Sequence, residues 1–254
     1  MAVEFFGSAF IVFIGTFNRL NNPEDTFTSA TIYFFLYATL ISTFSPLSGG
    51  LFNPMLTLVL FIFKHIKTTA GLLFIVSQLL GSVLGAFAAA NIIQSSSIQE
   101  NSEIPQPLLR ANHAYLGAVF EGIIVLLLAL VFGCTYLNIR TPKFIIGFAM
   151  GGIYFVGKMA FGFLSGGAFS FIEVFGPSIV NAKIESWSFY LISHFLGAIV
   201  GMGLYSFLLQ DHGKSVLFEE DDNDDDEPKE LIGEEAKKDK NRDERPLSET
   251  GANV

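Results

Sequence analysis

Long apolar runs dominate the first 210 positions of this chain. Six of them, approximately 2–19, 27–47, 69–93, 114–137, 144–164 and 186–210, are long enough to cross a hydrocarbon core, which takes about 20 helical residues, with a range of roughly 17–25. Each predicts a transmembrane helix. Between the second and third runs, and between the fifth and sixth, lie shorter apolar pieces at 53–63 and 170–181. About a dozen residues at a helical rise cover roughly 18 Å, little more than half the bilayer core. Such pieces enter the membrane and turn back, provided their irregular backbone is shielded by protein or lines a wet cavity.

A similar loop introduces both short pieces. The first reads Ser48-Gly49-Gly50-Leu51-Phe52-Asn53-Pro54-Met55 and the second Ser165-Gly166-Gly167-Ala168-Phe169-Ser170-Phe171-Ile172, 117 residues further on. Glu4 lies 49 residues before Asn53, and Glu121 lies 49 residues before Ser170. Gln78-x-x-Gly81-x-x-x-Gly85 is echoed by His194-x-x-Gly197-x-x-x-Gly201, shifted by a single residue. Landmarks held in register over half a chain predict a duplicated unit, with repeats at about 1–93 and 114–210. Three runs separate the two loops, so the two copies insert with opposite orientation. The expected fold is an all-α membrane protein, an inverted repeat of six transmembrane helices plus two re-entrant half-helices. Paired short segments at matching positions are the usual pointer to a transport site.

Asn53 and Pro54 predict where the first short helix starts, because Asn is a good N-cap and proline suits the first helical position. Its amide end, with the positive end of the helix dipole, then faces the centre of the membrane. The second short helix presents the same feature from the other side. Two positive ends at one constriction oppose cations and protons while leaving neutral solutes unpenalised. Glu4 and Glu121 are costly in a membrane unless satisfied. Their matched positions suggest that each braces one loop through backbone N–H groups. The glycine pairs at 81/85 and 197/201 are small-x-x-x-small steps for close helix packing.

The net charge of −9 belongs to the C-terminal end. Residues 1–210 carry eight acids and eight bases, whereas residues 211–254 carry 16 acids and seven bases. That acidic tail is too polar to offset its ordering entropy and is expected to be disordered and cytoplasmic. It contains Arg245-Pro246-Leu247-Ser248, a weak kinase-like pattern. Cys134 is the one cysteine, which excludes an intramolecular disulfide. A cleaved signal peptide is not expected, since the N-terminus lacks a basic segment and carries Glu4. Lys64, Lys67, Arg140 and Lys143 fall on one side of the membrane, and Arg19, Arg110 and Lys183 on the other. The excess places both termini in the cytoplasm. No phosphate loop, Ser/His/Asp constellation or Cys/His metal spacing is present in the sequence, so no enzyme, cofactor, metal or nucleic-acid role is expected.

The first loop, ending in Asn53-Pro54-Met55, resembles the first Asn-Pro-Ala loop of the aquaporin, or major intrinsic protein, family, with Met55 in place of Ala. Phe175-Gly176-Pro177-Ser178 is similar to the stretch after that family's second loop, and Glu4, Glu121 and Gln78 sit where the family has counterparts. The resemblance covers residues 1 to about 210. It implies a pore in each subunit of a homotetramer and passive flow of water or small neutral solutes through a plasma or intracellular membrane. It also implies that Asn53, Pro54, Met55, Ser170, Phe171 and Ile172 flank the pore centre. By the same resemblance Tyr33, Lys158, Gly167 and Glu173 take the outer constriction.

The second loop departs from the family, with Ser170-Phe171-Ile172-Glu173 where Asn-Pro-Ala-Arg is usual. Ser170 is a poorer donor than an Asn amide, and an acid replaces the arginine. Two readings of Glu173 stand side by side. In one, Ser170 and Glu173 form a capping box. In the other, Lys158 and Glu173 face each other as an opposite-charge pair, and cation exclusion rests on Lys158 and the helix ends. Tyr33 and Val174 favour water over glycerol. A sealed structural protein on this scaffold and a secondary transporter of a small solute are the alternatives.

Overall fold

The computed structural model describes residues 1–96, 103–138, 141–184 and 186–209. The acidic tail, the Arg245–Ser248 pattern and Arg140 lie outside the described residues. Among the described residues eight α-helices follow one another: α1 (Ala2–Asn21), α2 (Thr26–Ser48), α3 (Pro54–Ile62), α4 (Thr68–Ser95), α5 (Ala114–Tyr136), α6 (Lys143–Ser165), α7 (Phe171–Asn181) and α8 (Trp187–Leu204). A π turn, Tyr205–Leu209, continues α8. No strand occurs among the described residues. All but α3 and α7 are long and apolar enough to cross a membrane. Those two are the short pieces, nine and 11 residues long.

The distribution of side chains is that of a protein whose solvent is lipid. Glu4, Gln78, Glu121, Lys158, Glu173 and His194 are buried, while Phe6, Phe10, Phe35, Leu80, Phe87, Phe148 and Leu196 are exposed. In water this arrangement would strand large apolar surface. In a bilayer it removes the ionisable groups from the hydrocarbon and leaves apolar side chains facing it.

Glycines decide which helices meet. Gly81 and Gly85 of α4 lie against the Phe5 and Ala9 carbonyls of α1, and Gly197 and Gly201 of α8 lie against the Gly122 and Leu126 carbonyls of α5. A Cβ at any of the four would overlap a carbonyl oxygen. The two halves therefore repeat one backbone-to-backbone contact. Gly147 and Gly151 of α6 seat against the Ala38 and Phe34 carbonyls of α2, joining the halves.

Local signals set the helix ends. Asp25 caps α2 by accepting from the Thr28 amide at 2.9 Å. That bond and one from the Thr28 hydroxyl hold its carboxyl below the usual range. Helices α2 and α6 end at Gly49 and Gly166, which adopt φ of 90° and 78°. These left-handed positions suit glycine because other residues meet their own carbonyl there.

Candidate functional site

The two loops fold alike despite their different sequences. Gly50 and Phe52 have φ of 59° and 42°, and Gly167 and Phe169 have φ of 59° and 53°. A left-handed phenylalanine costs roughly 1–3 kcal/mol, so something must hold it. In the first loop that is Glu4, whose two oxygens accept from the Leu51 and Phe52 amides at 3.1 and 2.9 Å. The Ser48 hydroxyl and the Gln78 amide add bonds of 2.6 and 2.7 Å. In the second loop Glu121 accepts from the Ala168 and Phe169 amides at 3.0 and 2.7 Å. His194, at the repeat position of Gln78, lies 2.9 Å from it. Both carboxylates are fully buried.

With their amides turned outward to these acids, the loops direct carbonyls toward the centre of the molecule. There the Asn53 side-chain amide donates to the Phe169 carbonyl at 2.9 Å, and the Ser170 hydroxyl donates to the Phe52 carbonyl at 3.0 Å. The bonds are reciprocal, so the N-terminal ends of α3 and α7 abut. The Asn53 oxygen caps α3, accepting from the Met55 and Leu56 amides. The Ser170 side chain makes no capping bond to α7. The capping-box expectation for Ser170 and Glu173 is therefore corrected, because the Ser170 hydroxyl is spent on the other loop. Pro54, Met55 and Ile172 are buried at this junction. Phe171 instead packs its ring 5.9 Å from that of Trp187 on α8.

Glu173 also departs from the second expectation, an ion pair with Lys158. Its carboxylate meets the Arg19 guanidinium at 2.6 Å, the Tyr33 hydroxyl at 2.7 Å and the Tyr37 hydroxyl at 3.0 Å. These three donors occupy both oxygens, and charge-assisted bonds of this kind are the strong ones. Lys158 donates to the Gly167 carbonyl and lies 3.5 Å above the Tyr33 ring. The aromatic face attracts the ammonium. Tyr33 thus serves both groups, its hydroxyl on the acid and its ring under the cation. Any Cβ at Gly167 would press on the Lys158 stem.

One turn below Tyr33 and Lys158, Tyr37 of α2 and Tyr154 of α6 stack at 3.5 Å between ring centroids and 8° between planes. Tyr154 also reaches toward Phe169, whose carbonyl holds Asn53. The tyrosine pair therefore lies between the charged cluster and the junction of the short helices. Above the cluster opens a cavity of about 560 Å³ whose lining includes Arg19, Asn22, Glu24, Gln106, Arg110 and Lys158. Over it runs the stretch from Ile104, tied through Asn181 by bonds of 3.0 and 2.9 Å.

Arg19, Tyr37 and Tyr154 were not singled out by the sequence. The two tyrosines carried a signal, being one helical turn from Tyr33 and Lys158 on the same faces. Arg19 carried a fainter one: a buried acid at Glu173 requires a cation, and Arg19 is one of few placed within a span.

Comparison with known proteins matches residues 1–205 to the profile of the family described as Major intrinsic protein. Aquaporin-8 of Notomys alexis is 26% identical over 219 residues, 85% of this chain and 84% of its own. Nodulin-26 of Glycine max is 26% identical over 214 residues, covering 82% and 77%. Among solved structures, the aquaglyceroporin from Plasmodium falciparum superposes with a TM-score of 0.63 over 81% of this chain and 93% of that one. At 15% identity that likeness concerns the fold alone.

Proposed function

This chain belongs to the major intrinsic protein family, and on that premise we propose a passive membrane channel for water and other small neutral solutes. The observation that carries the reading is the reciprocal bonding of Asn53 to the Phe169 carbonyl and of Ser170 to the Phe52 carbonyl. It brings two helix N-termini, each partly positive, to one buried point. A neutral solute crosses such a point by exchanging hydrogen bonds, whereas a cation meets repulsion from both ends. In this reading α3 and α7 are re-entrant, the channel domain spans about 1–210, and residues 211–254 form a cytoplasmic tail together with a cytoplasmic N-terminus. Four copies assemble, each with its own passage, and no catalytic step is involved. Tyr33, Lys158 and Gly167 contribute to the outer constriction, and the bulk of Tyr33 together with Val174 favours water over glycerol.

A second reading, a sealed structural protein on the same scaffold, is favoured by the stacked Tyr37 and Tyr154 rings, which leave no gap between their faces at 3.5 Å. Osmotic shrinkage of proteoliposomes followed by stopped-flow light scattering separates the readings. A channel gives fast, gradient-driven flux with a low activation energy. Flux no greater than that of empty vesicles would establish the sealed protein, and slow saturable uptake would establish a transporter.

A further inference from the structure

The floor of the vestibule contains a charged pair with a direction. Arg19 leaves the last turn of α1 and lines the cavity of about 560 Å³, with 15% of its side chain exposed. Glu173, 2.6 Å away, has a side-chain exposure of 0%. The acid lies behind the base as seen from the vestibule. Its charge is further masked by the Tyr33 and Tyr37 hydroxyls, which donate at 2.7 and 3.0 Å. The guanidinium is fixed on its other side by the Gly15 carbonyl at 3.4 Å. Lys158 stands across the Tyr33 ring, adding a second positive group to the same floor.

An ion pair is neutral from a distance, but at contact range its nearer end dominates. In a partly desolvated site the potential of a unit charge falls steeply over a few ångströms. An ion arriving from the vestibule, which Glu24 and Arg110 also line, therefore meets the Arg19 guanidinium before the Glu173 carboxylate. We propose that Arg19 and Glu173 form an oriented ion pair whose positive end faces the vestibule, so that Arg19 is the charge-selecting group of the passage and Glu173 is its positioning residue. The proposal rests on the channel reading above.

Reversing the pair tests the idea without destroying it. The double variant R19E/E173R keeps one bridge between the same two helices but turns its negative end toward the vestibule. Sodium flux and water flux are measured on the same proteoliposomes, and their ratio is the readout. The ratio is expected to rise about tenfold or more over the parent. The neutral double variant R19Q/E173Q, which leaves neither charge buried alone, is expected to raise it by less. A purely structural bridge predicts that the reversed pair rescues the fold with no change in the ratio, and that result would overturn the proposal. If the reversed variant passes no water, the neutral one decides: a parental ratio overturns the idea and a raised ratio supports it. If neither variant passes water, the pair serves the fold rather than selection, and the proposal falls. A parent that passes no water would sink the channel reading itself, a separate outcome.

Discussion

At the scale of single residues, Lys158 is buried against the Gly167 carbonyl and the face of Tyr33. A charge kept at such depth carries a cost of several kcal/mol unless its surroundings compensate, so its position points to a role. Lys158→Ala removes one of the positive groups that line the vestibule with Arg19 and Arg110. Whole-cell currents are expected to show more cation passage than the parent, though less than with the Arg19–Glu173 pair reversed. Currents equal to the parent's would mean that Lys158 contributes packing only. Glu121 tests a different point. Two amides and His194 depend on it, and Glu121→Ala leaves them buried without an acceptor. The expected cost is about 3 kcal/mol or more, read as a lowered Tm in detergent. A melting curve like the parent's would show that the loop holds Phe169 left-handed unaided.

At the scale of elements, glycine placement fixes helix contacts more than apolar pattern does. Gly197 of α8 would carry any Cβ into the Gly122 carbonyl, whereas no atom of the described residues lies within 4 Å of a Cβ built on Gly152 of α6. Gly197→Ala is expected to destabilise the α5–α8 contact by about 1–3 kcal/mol, while Gly152→Ala is expected to be close to neutral. Parallel thermal melts of the two variants check this, and equal shifts would refute it. The six long helices and both short ones were legible in the sequence because run length alone separates a spanning helix from a partial one. The start of α3 was legible too, since Asn53 and Pro54 both favour a helix N-terminus. The start of α7 is legible in position but not in chemistry: Ser170 looks like a local cap but spends its hydroxyl on the Phe52 carbonyl in the other loop. Likewise the partner of Glu173 lies 154 residues away in the chain. No local pattern chooses between Arg19 and Lys158. Packing makes that choice, by presenting the carboxylate to α1 and α2.

At the scale of the whole molecule, contacts between the halves extend beyond the central junction. His65, in the turn between α3 and α4, lies 3.3 Å from the Ser206 hydroxyl at the end of the second half. Burial lowers its pKa below the ordinary 6.5. The unfolded chain therefore takes up a proton before the folded one as the medium acidifies. The stability from neutral His65 is fully present above pH 6.5 and is lost as the pH falls through the depressed folded value. Thermal melts at pH 8 and 5.5 should show the parent losing more than His65→Gln. Equal losses would place the acid sensitivity elsewhere.

The crossed bonds of Asn53 and Ser170 carry a consequence for ancestry and for engineering. Each half supplies the acceptor that the other's polar tip requires, so a fragment ending near residue 96 has a donor with no counterpart. Co-expressing the two fragments should regenerate the native assembly, whereas either one synthesised alone should be degraded. A progenitor gene encoding one copy would have needed two products threaded into the bilayer in contrary senses before fusion tied them into a single chain.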